Sequence, residues 1–302
     1  MEKVRIDFRD QIAANKRKSV FLMFSVIVVI VLLGWVISMA LNPVYFTLIM
    51  IIAIIFSIVY VVAGFYNSDK ISIASVGAKK ADPHKHRDFY SLVEGLTIAS
   101  GLPMPRLFVM PSKQINAFAS GRDPKHAVIC VTEGALEKLD RRELEGVLAH
   151  ELGHIGNYDM RYMTTVAVLV GMIAIISQMF LRSLFFGGGK GGGNDNKLQW
   201  VFMLIGIALA ILAPIAVYFV QMSISRKREY SADATAVKFT RHPNGLIGAL
   251  KKIKSDYQYD QGKMHKKKPT KALAPLFFAN PMSALGSTHP PIEKRIMALE
   301  KM

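Results

Sequence analysis

Between Ser19 and Ser68 the chain carries no charged residue, and Pro43 divides this run into two 23-residue apolar stretches, Ser19 to Leu41 and Val44 to Tyr66. As helices rising 1.5 Å per residue, each is long enough to span about 30 Å of bilayer hydrocarbon. Two further stretches qualify: Met163 to Leu181, interrupted by Gln178, and Leu198 to Met222, which contains Pro214. We read four transmembrane helices in two hairpins. A basic arm precedes the first span and Ser38-Met39-Ala40 would pass as the cleavage site of a secretory leader. The span is nevertheless longer than the roughly 7–15 apolar residues of a leader, and an anchor is expected.

Charge orients the hairpins. Of the 38 Lys and Arg residues, 35 fall in residues 1–18, 67–162 and 223–302. The positive-inside rule therefore puts these three parts, with both termini, in the cytoplasm. The Gly-rich connection from Gly187 to Lys197 is left on the far side. The net charge of +16 then reflects topology and contact with an anionic lipid bilayer, not nucleic acid, for which no module signature is present. The single cysteine, Cys130, cannot form an internal disulfide and suits a reducing compartment. The expected layout is a basic cytoplasmic arm (1–18), a transmembrane hairpin (19–66), a first cytoplasmic part (67–162), a second hairpin (163–222) and a second cytoplasmic part (223–302).

The cytoplasmic parts read as mainly α with a small β-sheet. A helix is expected after Pro83 over residues 83–100, with Phe89, Leu92, Val93, Leu96 and Ile98 as its apolar face. Strands are expected at Arg106 to Met110 and Ala127 to Thr132, with a short extended stretch over Ile115 to Ala119. Asp140 followed by Glu143 is a capping-box start for a helix reaching about Tyr158. Lys251 to Lys271, rich in lysine, reads as an exposed loop or lid.

The sharpest motif lies on the Asp140 helix: Val147-Leu148-Ala149-His150-Glu151-Leu152-Gly153-His154. His150 and His154, four residues apart, share one helical face and can both reach one metal ion. Glu151 is placed to contact a water on that metal without being a ligand. That is the division of labour HExxH encodes: two neutral nitrogen ligands for Zn²⁺ and a carboxylate that moves the proton. A hydrolytic zinc needs a third protein ligand. The extended pattern that would supply a third histidine is absent, since Asn157, Asp159 and Met160 follow. After the fourth span, Arg226 to Asp233 offers Glu229 and Asp233 on one helical face. One carboxylate can bind the metal while the other accepts from a ligand histidine. This pairing requires an even number of spans between the two segments, and the sequence has two.

The four-span layout, VLAHELGH, REYSAD and the C-terminal Ser287-Thr288-His289-Pro290-Pro291 together resemble the HtpX-type membrane heat-shock zinc proteases, a gluzincin family related to the CAAX prenyl endopeptidases. The resemblance covers essentially the whole chain. It implies a zincin-type metalloprotease domain formed by residues 67–162 and 223–302, with one Zn²⁺ on His150, His154 and Glu229. It further implies Glu151 as general base and Asp233 as the hydrogen-bond partner of a ligand histidine. Asn116, Ala117 and Phe118 match the family's substrate-facing edge strand, His289 matches a histidine that stabilises the oxyanion, and Arg295 follows it as in the family's C-terminal pattern. The implied activity is cleavage of damaged membrane-protein or peptide substrates at the cytoplasmic face. A prenyl-CAAX protease would need a chamber for an isoprenoid tail, for which four spans are few. A non-catalytic four-span scaffold would not need Glu151 beside both histidines and Glu229.

Overall fold

The computed structural model of the chain describes residues 8–40, 46–169, 204, 208, 226–260, 278 and 290–302. The uncharged run folds as α1 (Phe8–Ala40) and α2 (Phe46–Tyr66), which pack on each other. α1 begins well before the charges stop, so the arm from Phe8 onward is the first part of the same helix. Val26, Tyr60 and Val61 pack together with Leu169, while Phe21 and Phe24 of α1 and Ile51, Ile55, Phe56 and Val59 of α2 face outward. Ser57 is fully buried where Ile55 is 57% exposed. That reverses the pattern of a helix in water. Among the described residues, Phe46–Tyr66 is a helix long and apolar enough to cross a membrane. Of the third expected span, residues 163–169 continue helix α7 (159–169). The remainder of that span, the Gly187 to Lys197 connection and, apart from residues 204 and 208, the fourth span lie outside the described residues.

α2 is followed by α3 (Ser68–Ser75) and then by a four-stranded mixed sheet in the order β1-β2-β4-β3: β1 (Lys79–Lys80), β2 (Arg106–Met110), β3 (Ala117–Ser120) and β4 (Val128–Thr132). β2 and β4 are parallel, and the outer pairs are antiparallel. Both faces of the central strands are covered, which explains their unbroken apolar runs. Leu107, Val109, Ile129 and Val131 meet α4 (Arg87–Ser100) and the HExxH helix α6 (Arg141–Gly156) on one face. Met110, Phe118, Val128 and Cys130 meet Ile73 of α3 and Met163 and Ala167 of α7 on the other. Burial pushes the Cys130 thiol up, as suits a packing residue.

The expected strands are found, with β1 added, a two-residue pairing too short to leave a pattern. Between β4 and α6 stands α5 (Glu133–Lys138), capped by the Thr132 hydroxyl, which accepts from Ala135 N. α4 starts at Arg87 and not at Pro83. The Asp82 carboxylate accepts from the His84 and Lys85 amides and holds residues 82–85 in a turn. α6 ends at Gly156, before Tyr158, whose φ of 57° is left-handed.

The second part contributes α8 (Arg226–Thr240), α9 (Asn244–Asp260) and α10 (Ile292–Leu299). The loop expected from Lys251 is helix up to Asp260: Leu246, Leu250 and Ile253 bury one face of α9 and leave the lysines on the other. Its continuation to Lys271 lies outside the described residues. α9 meets α6 backbone to backbone, because a Cβ at Gly146 would stand 2.5 Å from the Leu246 nitrogen.

Candidate active site

α6 owes its start to a complete capping box. The Asp140 carboxylate accepts from the Arg142 and Glu143 amides, and Glu143 accepts from the Asp140 amide at 2.8 Å. The helix then carries His150, Glu151 and His154 into the interior, all three buried. α8 crosses it closely at Gly153, where a Cβ would come within 3.3 Å of the Ala232 carbonyl. This approach brings Glu229 and Asp233 to the two histidines.

The ligand atoms of His150, His154 and Glu229 lie within 4.8 Å of one another. His150 Nε2 is 3.1 Å from His154 Nε2 and 3.7 Å from Glu229 Oε2, and His154 Nε2 is 3.5 Å from Glu229 Oε1. Each ring turns its other nitrogen to a carboxylate. His150 Nδ1 is 2.9 Å from Asp233 Oδ1, and His154 Nδ1 is 3.3 Å from Asp159 Oδ2. With a proton on each Nδ1, both Nε2 lone pairs are free to face a common cation. Two imidazoles and one carboxylate are the donor set of a hydrolytic zinc.

Electrostatics fit a cation too. Glu151, Glu229, Asp233 and Asp159 are all buried, and the buried guanidiniums beside them are Arg228 and Arg295. Burying that many carboxylates is costly without further positive charge. Arg295 of α10 donates from Nε and Nη2 to the two oxygens of Asp233, at 2.9 and 2.6 Å, and its Nη1 lies 3.5 Å from Glu229. Burial opposes the charged form of Asp233, but Arg295 and His150 together outweigh it and hold the carboxyl below the usual range. Burial pulls His150 down to about 4, and the neighbouring Arg295 adds to the fall. For His154 burial works the same way, but Asp159 and Glu229 outweigh it and lift the ring to about 10, so a cation at Nε2 would take the place of the ring's second proton. Burial pushes Glu151 up to about 7, with His154 opposing and Glu229 adding.

β3 is the sheet edge nearest the site. Ala119 N–H hydrogen-bonds the Glu151 carboxylate, and the Ala117 carbonyl accepts from Phe278 N at 2.8 Å. At this edge the Ala119 N–H thus faces α6 and the Ala117 carbonyl faces Phe278. Asn116 is turned inward, exchanging backbone and hydroxyl hydrogen bonds with Thr132 and accepting from Ala117 N through its own Oδ1. Phe118 pairs with Cys130 on β4 and buries its ring on the far face of the sheet. Of the three expected substrate contacts, Ala117 is the one whose carbonyl lies on the outer edge, where Phe278 N occupies it. His289 lies outside the described residues.

Three contributors escaped the sequence reading. In the sequence Asp159 stands out only as a departure from a histidine pattern, and its place three residues beyond the end of α6 gives no signal for contact with His154. Arg295 had a place in the C-terminal pattern but no contact to Asp233. Phe278, 2% exposed, sets its ring edge-on to His150 with centroids 4.8 Å apart and lies under the Arg295 guanidinium at 4.7 Å.

The family model of Peptidase family M48 matches residues 83–302. The chain belongs to that family and is a metalloprotease. A curated protein named "Protease HtpX homolog" from Caldanaerobacter subterraneus subsp. tengcongensis is 44% identical over 254 residues, covering 82% of this chain and 83% of the relative. A protein of the same name from Dictyoglomus thermophilum is 38% identical over 299 residues, covering 98% and 95%. Among solved structures, the crystal structure of S. mikatae Ste24p aligns with a TM-score of 0.47 at 18% identity, over 95% of this chain and 65% of that one.

Proposed function

We propose that this chain is an integral-membrane zinc endopeptidase that cleaves damaged or misfolded membrane proteins at the cytoplasmic face, in membrane-protein quality control. His150, His154 and Glu229 would hold one Zn²⁺. The observation that carries the reading is the convergence of these three buried side chains within 4.8 Å, beside the buried Glu151. A bound Zn²⁺ supplies a Lewis acid that polarises the scissile carbonyl and acidifies water. Glu151, whose carboxyl burial raises to about 7, is the residue that would accept a proton from the attacking water and pass it to the leaving amine. Asp233, itself held by Arg295, fixes the His150 ring and leaves Nε2 for the metal.

An extended substrate would add to the outer edge of β3 by taking the Ala117 carbonyl from Phe278 N, with Asn116 and Phe118 anchoring the strand from behind. His289, assigned by resemblance, stabilises the oxyanion. The protease domain is split between residues 67–162 and 223–302, with the two hairpins, 19–66 and 163–222, in the membrane and both termini in the cytoplasm. The location of 35 of 38 cations and the outward apolar side chains of α1 and α2 support this topology. The curated relatives named as proteases support the activity.

Incubating the detergent-purified chain with an unfolded membrane protein tests the activity. Cleavage should stop on chelation and return with added Zn²⁺; cleavage that persists in chelator overturns the metal reading. Orientation is tested with single cysteines in a Cys130→Ser background. Gly192→Cys should react with an impermeant maleimide in intact cells and Ser255→Cys only after lysis, and the reverse pattern would invert the topology.

A further inference from the structure

Asn15 stands four residues before the uncharged run, among the cations at the start of α1. Nothing in its local sequence marks it, yet it is 2% exposed, while the neighbouring Lys16 reaches over the Tyr158 ring. Its amide makes three long-range contacts. Nδ2 donates to Asp159 Oδ1 at 2.7 Å and to the Asn157 carbonyl at 3.3 Å, and Oδ1 accepts from Arg228 Nη1 at 3.5 Å. Two acceptors on one side and a guanidinium on the other fix which way the amide points.

Both partners adjoin the metal ligands. The second oxygen of Asp159 is the one facing His154 Nδ1, and Arg228 immediately precedes Glu229. One amide on α1 therefore joins the segment just after α6 to the start of α8, across 144 and 213 residues of sequence. Arg228 is further held over the Tyr162 ring of α7 at 5.5 Å.

We propose that Asn15 is a positioning residue of the metal centre. By engaging one oxygen of Asp159 it aims the other at His154, keeping that ring's proton on Nδ1 and its Nε2 toward His150 and Glu229. By accepting from Arg228 it ties the first turn of α8 to the same point. The first apolar helix is thus part of the metal site and not merely its anchor. A buried asparagine that only tethers α1 would support stability but leave zinc affinity alone, and this difference is measurable.

The inference rests on His150, His154 and Glu229 being the ligands. The test is zinc affinity of the full chain in detergent, by competition with a chromophoric chelator, for Asn15→Ala, Asp159→Ala and the double variant. Removing an outer partner of a ligand histidine typically weakens metal binding about 10–100-fold, expected for Asp159→Ala, with Asn15→Ala near the lower end. Because Asn15 reaches His154 through Asp159 while its Arg228 contact is separate, the double variant should bind more tightly than the product of the two single losses would give. Wild-type affinity in Asn15→Ala, even with a lowered melting temperature, would overturn the proposal, as would losses that multiply. If Asn15→Ala does not accumulate, the similarly shaped Asn15→Leu decides: it removes the contacts to Asp159 and Arg228 and should weaken zinc binding, and unchanged affinity would again overturn the proposal. A wild-type chain that binds no zinc would instead sink the ligand assignment beneath it.

Discussion

The region around α6 and α8 and the α1–α2 hairpin are built on opposite burial rules. In the first, Leu148, Ile129 and Leu152 are sealed in the core, lysines such as Lys251 and Lys254 stay outside, and the charges that do go inside are organised as pairs. In the second, small or polar residues such as Ser57 and Ala53 are buried while isoleucines and phenylalanines face out. The first is arranged for water and the second for hydrocarbon. The cluster of His150, His154 and Glu229 lies close to where the two meet, since Asn15 of α1 touches Asp159, the partner of His154.

The largest effect should come from the inner cluster. Glu151→Gln preserves shape but removes the proton acceptor, so peptide hydrolysis should fall by about 10²–10⁴-fold with zinc content unchanged. Normal turnover would assign the base elsewhere. Arg295→Met leaves Asp233 as an uncompensated buried charge beside Glu229, and thermal unfolding in detergent should register a loss of about 3–5 kcal/mol. A melting temperature equal to wild type would mean the ion pair carries no structural weight.

Equal truncations on the two surfaces then set the regions against each other. Leu148→Ala, in the core, should cost about 2–5 kcal/mol. Ile55→Ala, on the outward face of α2, should leave unfolding in detergent within about 0.5 kcal/mol of wild type. Comparable losses at both sites would mean that α2 packs on protein at Ile55 and would erase the contrast. Asp233→Asn should be the mildest at the site, weakening zinc binding by about 10–100-fold without abolishing it. Complete metal loss would exchange the roles of Asp233 and Glu229.

What the sequence made legible follows the range over which each feature is encoded. The Asp140–Glu143 capping box, the i,i+4 pairing of His150 with His154, and that of Glu229 with Asp233 are local, and each is found at its expected residues. Spacing alone left open which of Glu229 and Asp233 faces the metal side of the histidines. The choice depends on how α8 crosses α6 at Gly153, a close approach that periodicity does not encode. Asp159, Arg295, Phe278 and Asn15 were missed as contacts because each acts through a partner supplied by tertiary packing. The exposed loop expected at Lys251 failed for the opposite reason: a dense run of lysines concealed the regular spacing of Leu246, Leu250 and Ile253.

On the proposed function, α6 and α8 together hold one zinc ion. Elemental analysis of the detergent-purified chain should find one zinc per molecule in the wild type, and none in a His150→Ala, His154→Ala double variant that still elutes as a folded, monodisperse protein. One zinc per chain retained by that double variant would contradict the account.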